Sequence, residues 1–293
     1  MPCILRLLPA VGYQVAKRFG RLCFYADHPE AAPLAVRYAF THELCLAVIK
    51  AFRIRFVVRG LANVPAGQAV FCPNHQSDFD APALMMLFGR RMAYMAKKAI
   101  ANYPVIDQMV RATDSFYIDR NDLRSEIKTI RAVAANLKSD PALLFAIWPE
   151  GTRTKDVVNR SVGTFKPGAF KAAYYAETTI VPVAMFGSFR LLEFSRKDRP
   201  VYPLQVTFLK PLAYGEYKDL STVELAAKVQ AAVAEEVARQ AALQPVLEDY
   251  WARPENARAY RRESRRRLKA YRQTRKEERI RDRKLTAEWR RTH

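Results

Sequence analysis

His75 is the only one of the four histidines in this 293-residue chain with a carboxylate five positions on, at Asp80. A neutral imidazole can take a proton from an alcohol near neutral pH. A carboxylate on its far nitrogen fixes the tautomer and steadies the imidazolium that forms. The spacing sets a geometric condition. On a regular helix, residues five apart point about 140° away from each other. The pair can meet only if His75 lies in a turn and a helix begins near Asp80. Pro73 favours an extended approach, and Ala81–Phe88 reads as a short helix with Pro82 in its first turn and Gly89 at its end. A second reading of the same residues makes Asp80 the N-cap of that helix and His75 an ordinary loop histidine.

The elements that must position this pair alternate in type. Arg55–Gly60 reads as a strand ending in a turn, and Ala69–Cys72 as a short buried strand leading to His75. Met92–Ala96 precedes Lys97 and Lys98. Ser115–Ile118 precedes Asp119 and Arg120, and Ser125–Leu137 has a helical pattern. Leu143–Trp148 runs into Pro149-Glu150-Gly151-Thr152-Arg153, and Thr179–Phe186 and Gln205–Leu209 complete the strands. This order predicts an α/β fold with a mixed, largely parallel sheet flanked by helices. In open sheets of this kind, sites gather at the carboxyl ends of strands. A histidine base and several cations are therefore expected at one mouth. Arginine suits phosphate because its planar fork donates two parallel bonds. The chemistry suggested is deprotonation of an alcohol on a phosphate-bearing molecule. The competing reading is that each arginine is a solvated or paired surface charge.

The ends of the chain differ from this centre. Residues 4–23 place Ile4, Leu8, Val11, Val15, Phe19 and Leu22 within about 120° of helical arc, with Arg6, Lys17 and Arg21 opposite. Such a helix can lie in a bilayer interface or pack on its own domain. Leu34–Phe52 reads as a second apolar helix. Ser221-Thr222-Val223-Glu224 is a capping-box pattern opening a helix that runs to about Leu243. From Arg253 the apolar positions are sparse, which predicts a solvated helix or a partly disordered arm. The expected division is a helical, membrane-associating segment at 1–54, a catalytic domain at 55–217, a C-terminal helix at 218–252 and a basic tail at 253–293. The net charge is +20. The tail holds 17 Lys/Arg against 6 Asp/Glu, so an anionic partner is expected: a phospholipid surface, a phosphorylated substrate or nucleic acid. Cys3, Cys23, Cys45 and Cys72 form no CxxC pair, which suits a reducing cytoplasm. Arg6 interrupts what would be the core of a signal peptide, and the charge-free run Gly60–Ser77 is too polar for a membrane span. The sequence shows no metal-ligand cluster, phosphate-cradling glycine loop or dinucleotide fingerprint.

Four blocks, in order, carry a resemblance to the 1-acylglycerol-3-phosphate (lysophosphatidic acid) acyltransferase family and its glycerolipid relatives. Asn74-His75-Gln76-Ser77-Asp78-Phe79-Asp80 is similar to the family's Asn-His-x-Ser-x-x-Asp block. Phe116-Tyr117-Ile118-Asp119-Arg120 resembles the second block, Pro149-Glu150-Gly151-Thr152-Arg153 the third, and Ile180-Val181-Pro182-Val183-Ala184 the apolar fourth. Tyr94-Met95-Ala96-Lys97-Lys98 and Phe165-Lys166-Pro167-Gly168-Ala169-Phe170 resemble intervening segments. The likeness covers about residues 55–210. After Lys98 the family's acidic residue and glycine-containing turn give way to Ala99-Ile100 and Asn102-Tyr103-Pro104, and the basic tail matches no family motif.

The resemblance implies acyl transfer without an acyl-enzyme and without a metal or other cofactor. The donor would be acyl-CoA or acyl-carrier protein, the acceptor lysophosphatidic acid, and the product phosphatidic acid. His75 would be the general base and Asp80 its orienter. Arg120 and Arg153, with Lys98, would hold the phosphate, and Gly151 would allow close backbone approach. Glu150 would either orient the acceptor or pair with Arg153. Ser77 reads as a turn residue and Cys72 as core. Work on a lipid implies a peripheral protein on the cytoplasmic face of a membrane. The alternatives are another lysophospholipid or glycerol 3-phosphate as acceptor, or an inactive adaptor that binds RNA or membrane through Arg265-Arg266-Arg267 and its neighbours.

Overall fold

Strands buried along nearly their whole length build the centre of the molecule. The computed structural model describes residues 3–119, 121–154, 161–191 and 201–292. Among them, β1 (Ile54–Arg59), β2 (Ala69–Pro73), β3 (Met92–Lys97), β4 (Phe116–Ile118), β5 (Leu144–Ala146), β6 (Thr179–Phe186) and β7 (Tyr202–Phe208) form one sheet in the order β1-β7-β6-β2-β5-β3-β4. Every pairing is parallel except the antiparallel β6–β7 pair. The sheet is therefore mixed and largely parallel, as the element order implied.

Side chains on a strand alternate between faces. Ala69, Phe71, Val181 and Val183 join a core with α1 (Cys3–Asp27), α2 (Leu34–Ala51), α3 (Asp80–Met85) and α4 (Ile106–Ala112). Val70, Cys72, Ile180 and Ala184 join a second core with α5 (Leu123–Ser139), α6 (Lys171–Ala176) and α7 (Thr222–Ala252). Covering both faces explains why the central strands read as unbroken apolar runs. The short helices α4 and α6 were not foreseen, because one or two turns are too few to show a period.

The N-terminal helix packs on its own domain along one side. Leu22 and Ala26 are buried, and Val11 and Val15 pack against the first core. Arg111 on α4 ties down the end of α1 through Asp27 at 2.6 Å. Leu8, Tyr13 and Phe24 remain exposed. No described helix is long and apolar enough to cross a membrane.

The helix opened by Ser221 runs on through Pro245 to Ala252. Its inward face carries a polar ladder at four-residue spacing: Glu236, Gln240, Gln244 and Glu248, all buried. Four helical residues rise about 6 Å, close to the roughly 6.6 Å of two strand residues. The ladder therefore meets alternate positions of β7. Thr207 donates to Glu236 at 2.8 Å, Gln205 donates to the Gln244 side chain at 2.9 Å, and Gln244 donates to the Pro203 carbonyl at 3.1 Å.

The basic tail is a continuous helix, α8 (Pro254–Thr292), rather than a disordered arm. Its first turns are anchored on β1. The Tyr260 hydroxyl donates to the Ile54 carbonyl at 2.9 Å, and Arg55 lies over the rings of Trp251 and Tyr260 at 5.5 and 5.8 Å.

Candidate active site

β2 lies at the middle of the sheet between β6 and β5, so the segment leaving its carboxyl end can be held from both sides. Asn74 clamps to β6 with both ends of its amide. It donates to the Met185 carbonyl at 2.9 Å and accepts the Met185 N–H at 2.7 Å. Two residues on, Gln76 accepts the Gly187 N–H at 3.0 Å. The β5 side holds the backbone of His75 itself. Its N–H donates to Glu150 Oε1 at 2.7 Å, and its carbonyl accepts the Thr154 N–H at 2.8 Å. His75 is thus fixed in a non-helical segment, and α3 begins at Asp80. Both geometric conditions for the pair are met.

The pair forms. His75 Nδ1 and Asp80 Oδ2 are 2.8 Å apart, and Asp80 is fully buried. The same oxygen accepts the Gln76 and Ser77 N–H groups at 2.8 and 2.9 Å. Facing an acceptor oxygen that already takes two backbone N–H groups, Nδ1 is assigned as the protonated nitrogen. Nε2 then keeps the lone pair, as a general base requires. The N-cap reading of Asp80 is not what the fold uses, since Phe79 occupies that position and Asp80 bonds backward to the turn. Ser77 is a turn residue, accepting the Phe79 N–H at 3.2 Å. Cys72 is fully buried core, and burial pushes its thiol up, so it stays protonated and inert.

Glu150 serves the histidine loop and not Arg153. Its two oxygens receive the His75 and Gly163 N–H groups at 2.7 and 3.1 Å. Burial pushes its carboxyl up, while those two N–H groups pull it back down. A Cβ at Gly163 would lie 2.5 Å from Glu150 Oε2, so a larger residue there must push that carboxylate aside. Gly151 has φ +72 and closes a turn onto the Trp148 carbonyl at 3.0 Å. Glycine adopts that left-handed conformation without a Cβ penalty.

Arg153 sits at the rim. It pairs with Asp78 at 2.7 Å, with both side chains more than half exposed. Exposed pairs of this kind contribute about 0–1 kcal/mol, so an incoming dianion can displace Asp78 from the arginine. Lys98 is placed less favourably than the sequence suggested. It is 70% exposed and pairs with Asp119 at 3.2 Å, while its neighbour Lys97 lines the cleft. Arg120 lies outside the described residues.

His75, Asp78, Lys97 and Arg153 line a cleft of about 350 Å³. Met95, Ile100, Tyr103, Ile106, Met109 and Ile147 give it an apolar wall. Trp148 packs its ring 5.5 Å from that of His75. Among the described residues, no three His, Cys, Asp or Glu side chains come together as metal ligands. Sequence reasoning missed Asn74, Gln76, Asp78, Trp148 and Gly163 as parts of the site. Asn74 and Gln76 did leave a signal: two amides flank the histidine directly after a buried strand.

The chain is similar to known acyltransferases in sequence and fold. A family model described as acyltransferase matches residues 55–186. A probable 1-acyl-sn-glycerol-3-phosphate acyltransferase of Mycoplasma pneumoniae is 28% identical over 200 residues, covering 64% of this chain and 73% of that protein. The 1-acyl-sn-glycerol-3-phosphate acyltransferase of Escherichia coli is 27% identical over 172 residues, covering 59% of this chain and 68% of that protein. The crystal structure of a 1-acyl-sn-glycerophosphate acyltransferase from Thermotoga maritima superposes with a TM-score of 0.62 at 20% identity, covering 81% of this chain and 97% of that one. That last likeness is one of fold.

Proposed function

We propose, on the premise that this chain belongs to the acyltransferase family and is an O-acyltransferase, that it moves a fatty acyl group from a thioester to the free hydroxyl of 1-acylglycerol 3-phosphate. The observation that carries the reading is the 2.8 Å His75–Asp80 pair at the mouth of an apolar cleft with Arg153 on its rim. The acceptor phosphate replaces Asp78 on Arg153, assisted by Arg120 and Lys97 or Lys98. This brings the glycerol hydroxyl to His75 and turns a two-substrate encounter into an oriented one. The acyl chain takes the wall of Ile100, Ile106, Met109 and Ile147.

His75 Nε2 removes the hydroxyl proton as the oxygen attacks the thioester carbonyl. Asp80 steadies the imidazolium. Collapse of the tetrahedral intermediate breaks the C–S bond, and the departing sulfur takes the proton back from His75. The products are phosphatidic acid and the free thiol of the carrier. Glu150 and Gly151 shape the loop that holds His75. Acyl-CoA and acyl-carrier protein are both chemically suited as donors, with no further cofactor. The lipid acceptor puts the protein at a membrane surface, on the cytoplasmic face, where the exposed Leu8, Tyr13 and Phe24 of α1 provide apolar contact.

The test is acyl transfer by the purified chain, with labelled acyl-CoA or acyl-carrier protein and a panel of lysophospholipids, glycerol 3-phosphate and a phosphate-free monoacylglycerol. Preference for 1-acylglycerol 3-phosphate supports the reading. Equal use of the phosphate-free acceptor overturns the role of Arg153, and no transfer to any acceptor overturns the function.

A further inference from the structure

The reaction leaves one large feature unused, the outward face of α8. At 100° per residue, Tyr260, Glu278, Asp282 and Trp289 fall within about 40° of arc, and all four are part-buried. This inward stripe is fixed at both ends. Tyr260 bonds to Ile54 at 2.9 Å, and the Trp289 indole donates to the Glu30 carbonyl at 2.6 Å, in the turn between α1 and α2. Glu263 adds an ion pair with Arg55 at 3.7 Å.

The opposite side is different. Arg258, Arg262, Arg265, Lys276, Arg283 and Arg291 fall within about 80° of arc, and all are exposed. Within that arc the one carboxylate is Glu255, in the first turn, where the helix N-terminus favours it. The other acids of α8 lie on the flanks or the inward stripe. A merely solvated helix interleaves opposite charges at i,i+4, and like charges at that spacing repel, as at Arg258 and Arg262. Within the arc, Arg258 and Arg262 face each other as like charges, which costs helix stability unless something anionic meets the basic face.

We propose that α8 is an ordered docking strut whose outward face lies on an anionic phospholipid surface. Complementary charge gives the class of partner. Trp289 secures the end of the strut to the turn of the hairpin whose α1 keeps Leu8, Tyr13 and Phe24 exposed, and apolar side chains of that kind enter lipid, not a nucleic-acid backbone. The choice of lipid also rests on the proposed function, whose acceptor is an anionic lipid. The helix is about 58 Å long, enough to cross many headgroups. Each cation near such a surface strengthens binding about fivefold at low salt. The phosphate-bearing product would add negative charge where the enzyme sits and prolong its stay.

The experiment compares the full chain with a variant carrying Arg262→Gln, Arg265→Gln, Lys276→Gln and Arg283→Gln. A control loses the same charge elsewhere through Lys138→Gln, Lys171→Gln, Lys218→Gln and Lys228→Gln. Cosedimentation is measured with phosphatidylcholine vesicles, with and without phosphatidylglycerol, at low and high salt. Circular dichroism checks that α8 stays helical. A loss of roughly 600-fold on anionic vesicles, confined to the α8 variant and to low salt, supports the proposal. Unchanged binding by that variant, or an equal loss in the control, overturns it. Unchanged vesicle binding with loss of tight RNA binding overturns it in favour of a nucleic-acid arm. Acyl transfer to detergent-dispersed acceptor is assayed in parallel. Failure there condemns the proposed reaction and leaves the vesicle result to judge the strut.

Discussion

Glu150 accepts the backbone N–H of His75 at 2.7 Å, so the acidic residue of one strand-end loop fixes the main chain of the histidine on the neighbouring loop. Asp80 fixes the ring of that histidine and Glu150 its backbone. The two carboxylates therefore control different degrees of freedom of one side chain, which sets apart the consequences of removing each.

Removing the proposed base or its orienter tests the chemistry. His75→Ala is expected to lower acyl transfer on the order of 10²–10⁴-fold with the fold intact. Asp80→Asn should also cost activity, since a neutral amide oxygen in the place of Oδ2 holds the same N–H groups more weakly and no longer steadies the imidazolium. Near-normal turnover by folded His75→Ala would rule out the general-base role.

Removing the phosphate cation tests substrate binding. Arg153→Ala should raise KM for the phosphorylated acceptor about 10- to 100-fold, the range of a charged hydrogen bond, and leave KM for the donor nearly unchanged. Asp78→Asn frees the arginine and should lower acceptor KM. Steady-state kinetics with each substrate varied in turn decides the matter, and equal shifts in both KM values would discard the assignment.

Glu150→Gln tests the second carboxylate. An amide can accept one of the two N–H groups but points its own N–H groups at the other, so acyl transfer should fall about 10²-fold. Gly163→Ala should act in the same direction by pushing Glu150 aside. The pH dependence of stability has a defined sign. Burial raises the Glu150 carboxyl above its ordinary 4.5, so the folded chain binds this proton more tightly than the unfolded chain. Its contribution to stability is full below 4.5 and is lost as pH rises through the raised value. Relative to Glu150→Gln, the wild type should therefore gain Tm as the solution is acidified toward 4.5. The opposite slope in paired melting curves would contradict the assigned burial.

Gln205→Leu probes the ladder between α7 and β7. It leaves the Gln240 carbonyl and the Gln244 side-chain oxygen without their buried donor, and should cost about 1–3 kcal/mol. Urea unfolding is the measurement. Because the ladder stands away from the cleft, kcat of the remaining folded protein should be unchanged.

Much of the chain announced itself through local pattern. Strands with both faces buried read as apolar runs, and the Ser221 capping box marked the start of α7. The four family-like blocks placed His75, Asp80, Glu150, Gly151 and Arg153 in the region of the site. Such features depend on residues close in sequence, and periodicity and capping are local physics.

The partnerships were decided by the tertiary fold. Residues 75 and 150 are 75 positions apart, and only the adjacency of β2 and β5 lets Glu150 reach His75, while Asp78 takes Arg153. From sequence, Glu150 and Arg153 looked like natural partners, three residues apart with opposite charge. The turn at Gly151 sends them to different neighbours. The ladder of Glu236, Gln240, Gln244 and Glu248 left no local signal, because a polar residue's burial depends on the strand opposite. The tail's inward stripe was equally hidden, since its tyrosine and tryptophan meet partners more than 200 residues away. The sequence determined which elements form and which residues can do chemistry. The sheet order determined which of them meet, because long-range contact is a property of the packed chain.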